Sequence, residues 1–379
     1  MGSMHDRDVE QTPAIGGQID VAYLSAALAR AGRPAPVTQL AFERLDGGRI
    51  SRGVFALRSD AGDFVLKRFA AEPWRAELFG MTYNEPALWL RGATRTLPAP
   101  LACPTIDVAF HADSGECWML MDDVTRGIAP RGSFDEAQCR RLLEAVARLH
   151  ARYWACDAEL AALPLLSLEQ HVRMFTDPCA AVGGRLEAKG WIGQVLDRVA
   201  LFRTYVPPLL EALGPVDADF YLDLCAHPQI WLGSLERAPK TMIHGDLRRA
   251  NIAHLGSSVT LFDWDFAARA PAASDIAWYA FLHFWCYPAR DGRTPLEREA
   301  LLQHYRMRLA AEMGKRLDEA AFERTWQMAW LKVFAQLAFC LADPLVGSAD
   351  REEAQRARAT CKTALERARR IMDRHADRR

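Results

Sequence analysis

One stretch constrains this chain more than any other: Met242-Ile243-His244-Gly245-Asp246-Leu247-Arg248-Arg249-Ala250-Asn251, then Val259-Thr260-Leu261-Phe262-Asp263-Trp264-Asp265. Ile252 to Leu255 reads as a short strand, Gly256-Ser257-Ser258 as a turn and Val259 to Phe262 as the returning strand. At the open end of such a hairpin the residue entering and the residue leaving are neighbours, so Asn251 and Asp263 are expected side by side. A side-chain amide oxygen beside a carboxylate suits Mg²⁺, which takes oxygen ligands, uses few protein groups and leaves room for phosphates. Asp246, on the loop leading into the hairpin, is expected to face the same spot without ligating the metal. Metal ligands plus one further carboxylate able to accept a hydroxyl proton are what phosphoryl transfer requires.

The D-x-x-x-x-N spacing from Asp246 to Asn251 is that of the protein-kinase catalytic loop, with Gly245 in place of its Arg. Together with Asp263-Trp264-Asp265, the segment resembles the aminoglycoside phosphotransferase and choline kinase-like superfamily of small-molecule kinases. The resemblance implies Asp246 as catalytic base, Asn251 and Asp263 as Mg²⁺ ligands, and His244 and Asp275 as structural supports of the loop. It also implies a strand Lys that holds nucleotide phosphates and a helix Glu that pairs with it. Lys67 matches the first, and Glu85 matches the second with Glu77 as the alternative. Pro86, directly after Glu85, fits a helix only in the first turn. The turn Asp46-Gly47-Gly48-Arg49-Ile50-Ser51-Arg52-Gly53 stands where a phosphate-covering loop is expected, with Gly47, Gly48 and Ser51 as its nucleotide contacts. It does not read G-x-G-x-x-G, and the chain holds no G-x-x-x-x-G-K-[ST], which excludes a P-loop NTPase. The strand end Met121-Asp122-Asp123 resembles the hinge that meets the adenine, giving Met121 and Asp123 as cofactor contacts.

The pattern around these motifs predicts an α+β, bilobal, protein-kinase-like fold: a small antiparallel-sheet N-lobe and a larger, mostly helical C-lobe. Strands are expected from Val37 to Leu45, at Val54 to Leu57, at Phe64 to Phe69 and at Cys117 to Met121, with a helix from Arg75 to Gly92. Ser133 and Glu136 read as a capping box before the helical spacing of Leu142, Leu143, Val146 and Leu149. Pro207-Pro208 marks a break between helices. The expected division is 1–20 as tag and flexible N-terminus, 21–123 as nucleotide-binding lobe and 124–379 as helical lobe with the catalytic loop and substrate pocket.

A formal net charge of -1 offers no global attraction to nucleic acid or anionic membrane. The nine cysteines, never spaced as C-x-x-C, read as reduced thiols of a cytoplasmic protein. The apolar run Trp326 to Leu341 is interrupted by Gln327, Lys332 and Gln336 and reads as a buried helix. The expected cofactors are ATP, or GTP, and Mg²⁺; the expected partner is a small molecule bearing a hydroxyl. Too few residues separate Asp265 from Asp275 for an activation loop and no A-P-E follows, which argues against a protein acceptor. A catalytically inactive nucleotide-binding regulator of the same fold is the alternative. Asp217, Asp219 and Asp223 would suit a cationic acceptor, the aromatic run Trp278 to Tyr287 an apolar or quaternary one, and Arg248 with Arg249 an acidic one. Oligomeric state is not legible.

Overall fold

The computed structural model describes residues 8–10, 12, 14–15, 18–33, 35–45, 53–111, 113–129, 134–286, 297–314, 316–346 and 350–376. The N-terminal sheet runs in the order Ala14–Ile15, Thr105–His111, Glu116–Asp122, Gly62–Ala70, Gly53–Ser59, Leu40–Leu45. All neighbours are antiparallel except Ala14–Ile15, which pairs in parallel with Phe110 and His111. Residues alternate between the faces of a strand, and here the alternation sorts two cores. Leu66, Trp118 and Leu120 pack with Leu57 under the helix Val21–Arg30. Phe69, Met119 and Met121 face the other way, toward Val9, Tyr83 and Ala87. Lys67 lies in register with Met119 on an interior strand. It therefore shares the second face, the side on which Asn84–Leu90 packs.

The helix expected from Arg75 to Gly92 is two helices, Pro73–Phe79 and Asn84–Leu90. Gly80 closes the first at φ 69°, a left-handed turn that glycine adopts without strain. Pro86 then falls in the first turn of the second helix, where the missing N–H has no intrahelical partner to lose. Where the chain is described ahead of Val21, it contacts the lobe. Val9 is buried, Asp8 pairs with Arg91 at 2.6 Å, and Ala14–Ile15 joins the sheet edge. Residues 1–7 lie outside the described residues.

Beyond Asp122 the chain turns helical, as expected. The capping box before Leu142 is formed by Asp135 and Gln138, whose side chains each accept the other's backbone N–H; Ser133 lies outside the described residues. Pro207 and Pro208 sit inside the helix Ala200–Leu213 instead of breaking it. The buried face of Phe202, Val206, Leu209 and Leu213 offsets two lost N–H donors, since each such side chain contributes about 1.5–3 kcal/mol. The hairpin forms as read, Ile252–Leu255 against Ser258–Leu261, with Leu255 opposite Ser258 across Gly256 and Ser257. Leu101–Ala102 pairs in parallel with Val259 and Thr260, so a piece of the expected N-lobe belongs to the hairpin's sheet. Glu319–Leu345 is long and apolar enough to cross a membrane, but its side chains are mostly buried in the helical core.

Candidate active site

Three segments distant in sequence meet beneath the Gly62–Ala70 strand. Lys67 Nζ donates to Glu85 Oε2 at 2.7 Å and to Asp263 Oδ1 at 2.5 Å. The other Glu85 oxygen accepts the backbone N–H of Trp264 at 3.1 Å, so this carboxylate ties the helix Asn84–Leu90 to the segment after the hairpin. Glu85, not Glu77, is the partner of Lys67; Glu77 lies near Gly190. Burial works against the Lys67 ammonium, but Asp263, Glu85 and Asp265 outweigh it and raise its pKa, so it stays charged. Burial likewise disfavours the Asp263 anion, yet Lys67 and then Arg248 hold that carboxyl down to about 2. Asp263 adopts a left-handed φ of 64° that few side chains tolerate, and 36 % of its side chain remains exposed.

Asn251 and Asp263 stand at the open end of the hairpin, where the Phe262 N–H donates to the Asn251 carbonyl at 3.2 Å. Asn251 Nδ2 is committed to Asp246, donating to its backbone oxygen at 3.1 Å and to Oδ2 at 2.9 Å. The amide oxygen is therefore the atom that a cation could use. An amide oxygen with an ionised, part-exposed carboxylate is a donor set that fits Mg²⁺ drawing its other ligands from phosphate and water. Among the described residues no cluster of three or more His, Cys, Asp and Glu side chains is placed to hold a metal, so a histidine–cysteine site is not offered.

Asp246 is buried and its oxygens are differently engaged. Oδ1 accepts the Trp278 indole N–H at 3.0 Å; Oδ2 accepts from Asn251 at 2.9 Å and forms an ion pair with Arg248, whose Nε lies 2.9 Å away. Burial raises the Asp246 pKa, with Asp263 reinforcing the effect and Arg248 opposing it. A carboxylate raised in this way is a better proton acceptor than a solvated one.

The loop carrying Asp246 is held from behind. Asp275 accepts the backbone N–H groups of His244 at 2.7 Å and Gly245 at 2.9 Å, and His150 lies 3.3 Å away. His244 donates through Nε2 to the Phe262 carbonyl at 3.0 Å, tying loop to hairpin. The His171 ring bonds the Gly245 carbonyl at 2.9 Å and is bonded in turn by Gln336. Gly245 sits at φ +83°, and a Cβ there would lie 1.9 Å from the Phe266 carbonyl oxygen. Gly245→Ala is therefore expected to destabilise the fold by about 2–5 kcal/mol, adding left-handed strain to overpacking. Chemical denaturation measures this; an unchanged midpoint would mean that the loop yields freely.

His171 also predicts a pH dependence. Burial, then the positive charge of Lys332, pulls its pKa down to about 3, so it is neutral in the folded chain while the unfolded chain titrates near 6.5. The unfolded state binds the extra proton between those values, so this contribution to stability falls as pH drops from 6.5 toward 3. His171→Gln, which keeps a donor for Gly245, should flatten that part of the stability profile in denaturation series across pH. An unchanged slope would remove His171 as its source.

The remaining expected contacts lie elsewhere. Gly47, Gly48 and Ser51 are outside the described residues. Met121 is buried in the sheet's core, and Asp123 directs its N–H to the Asp63 carbonyl and its carboxylate to Arg58 and the Thr125 N–H. Both the side chain and the N–H of Asp123 are thus already engaged. Asp217 pairs with Arg369 and Asp219 with Arg185, as ion pairs at the surface. Trp278, Tyr279 and Phe281 are core residues, while Tyr287 lies outside the described residues. Sequence reasoning missed Trp278 as a partner of Asp246. It also missed the buried ion pair in which Arg75 grips Asp265 with two nitrogens, Nη1 to Oδ2 at 2.8 Å.

The profile of the phosphotransferase enzyme family matches residues 41–319. No curated protein sequence matches the chain. Among solved structures, the chain is similar to a spectinomycin phosphotransferase in complex with ADP and spectinomycin, at TM-score 0.50 and 10 % identity over 94 % of this chain and 99 % of that one. It is similar also to a microcompartment-associated aminopropanol kinase, at TM-score 0.50 and 16 % identity over 93 % and 98 %. An ethanolamine kinase from Plasmodium vivax aligns at TM-score 0.47 and 13 % identity over 86 % and 82 %.

Proposed function

The chain belongs to the phosphotransferase enzyme family, and from that premise we propose that it moves the γ-phosphate of ATP or GTP to a hydroxyl of a small molecule. The observation that carries this reading is the convergence of Lys67, Glu85, Asp263, Asn251 and Asp246 from three separate parts of the chain. Asn251, through its amide oxygen, and Asp263 would hold Mg²⁺. Mg²⁺ held there would supply positive charge to offset the negative charge that develops during transfer. Lys67, oriented by Glu85, presents a positive charge to the phosphates. Asp246 aligns the acceptor hydroxyl and takes its proton as the acceptor oxygen bonds to the γ-phosphorus and the β–γ bridge bond breaks, releasing the nucleoside diphosphate. With little covalent work for the protein to do, catalysis rests on position and charge, which the buried network around Asp246 and Asp275 fixes.

Calorimetric titration tests the nucleotide half of the proposal. ATP or GTP should bind with an affinity that rises on adding Mg²⁺. Binding of neither nucleotide in the presence of Mg²⁺ would contradict the assignment. Binding without any phosphorylated product across a broad acceptor set would favour the inactive regulator.

A further inference from the structure

The Trp278 ring lies between Asp246 and a second charged group for which the scheme above has no use. Its Nε1–H reaches Asp246 Oδ1 at 3.0 Å, while Lys332 Nζ lies 5.7 Å from the ring centroid. Lys332 is on the helix Glu319–Leu337, is 0 % exposed, and its ammonium has no hydrogen-bond partner. Burying an unpaired ammonium is costly, and an apolar side chain of similar length would fill the volume without that cost. Such a group beside an active site is a candidate for function more than for packing. The charged and titratable groups that act on it are Asp275, from the helix Ala273–Phe281, and His171, from Leu168–Val182.

The contacts of Asp246 say what the pair would do. Oδ2 carries buried Asn251 and the Arg248 guanidinium, whose side chain is 47 % exposed. Arg248 is thus the partner that an incoming hydroxyl could displace. Trp278 and Asn251 are both buried and grip opposite oxygens, which fixes the plane of the carboxylate. A cation over an indole face draws on the ring's electron density and strengthens the N–H as a donor.

We propose that Trp278, with Lys332 beneath its ring, is a positioning residue for phosphoryl transfer: it locks Asp246 through Oδ1 so that Oδ2 receives the acceptor's proton. The inference rests on the reading of Asp246 as base. Burial lowers the Lys332 pKa to about 7, with Asp275 opposing, so it carries charge at and below neutral pH.

Trp278→Phe removes the N–H and should lower kcat about tenfold, the loss expected for one hydrogen bond to a charged group, with both KM values unchanged. Replacing the indole by benzothiophene keeps the shape, exchanges N–H for sulfur, and should lose as much. Lys332→Met should lower kcat by roughly threefold while raising Tm by about 5 °C, because a buried unpaired charge is removed. The Tm gain should be largest below pH 7, where the wild-type ammonium is charged both folded and unfolded. It should shrink toward pH 10.5, because the unfolded state binds the extra proton across that window and wild-type stability rises with pH there. A purely structural role would not move kcat and Tm in opposite directions. If the benzothiophene enzyme kept wild-type kcat while Asp246→Asn was inactive, Trp278 would be only a wall and the proposal would fall. If Lys332→Met left kcat unchanged, the lysine's part would fall. Activity in Asp246→Asn would instead overturn the underlying reading of the base.

Discussion

Asp246→Asn should leave Mg·nucleotide binding nearly intact and reduce phosphoryl transfer by about a hundred- to ten-thousand-fold, the range general-base groups contribute. The substitution is close to isosteric, and the groups that frame the site, Asn251, Trp278 and Asp275, belong to other residues. What disappears is the anion whose pKa burial has raised and which Arg248 partly offsets. An amide takes no proton from the acceptor hydroxyl, so kcat should fall much further than nucleotide affinity. Stopped transfer assays beside calorimetric titration would separate the two effects. A variant that kept full turnover would show that the proton leaves by another route.

Asp263→Asn should have the opposite signature. Asn tolerates the left-handed backbone at φ 64° and keeps an oxygen in place, so the fold should survive where Ala would add strain. The variant loses a charge that is both held low, at about 2, and partly exposed to an incoming cation. Loss of the anion should abolish the enhancement of nucleotide binding by Mg²⁺ and cost on the order of a hundredfold or more in kcat/KM. Lys67 keeps Glu85 in this variant, so nucleotide binding measured without Mg²⁺ should change far less. An unaltered Mg²⁺ dependence would remove Asp263 from the metal site.

The parts of the site that were legible in sequence are those written locally. His244 to Asn251 and Asp263 to Asp265 are close in sequence, and the hairpin between them turns that proximity into juxtaposition. Lys67 and Glu85 came from resemblance, and the structure brings them to 2.7 Å. The unread parts depend on contacts that no spacing encodes. Trp278 meets Asp246 across 32 residues, and Arg75 meets Asp265 across 190. Pro86 is visible as punctuation, yet the run from Arg75 to Gly92 reads as one helix because Met81, Thr82 and Tyr83, between the two helices, are themselves buried. Pro207-Pro208 misled in the other direction, since tertiary burial of the flanking face outweighed a local breaker. At the N-terminus the pattern of residues 8–15 is too short to announce a partner, and only the finished sheet supplies one at Phe110 and His111.

The central claim is that Asp246 and the Asn251–Asp263 pair perform phosphoryl transfer to a hydroxyl. The most direct measurement incubates the protein with Mg·ATP, or Mg·GTP, and a pool of hydroxyl-bearing metabolites and antibiotics, then searches by mass spectrometry for a compound heavier by one phosphate. The wild-type protein should form such a product and Asp246→Asn none. The same product formed equally by both proteins would contradict the claim.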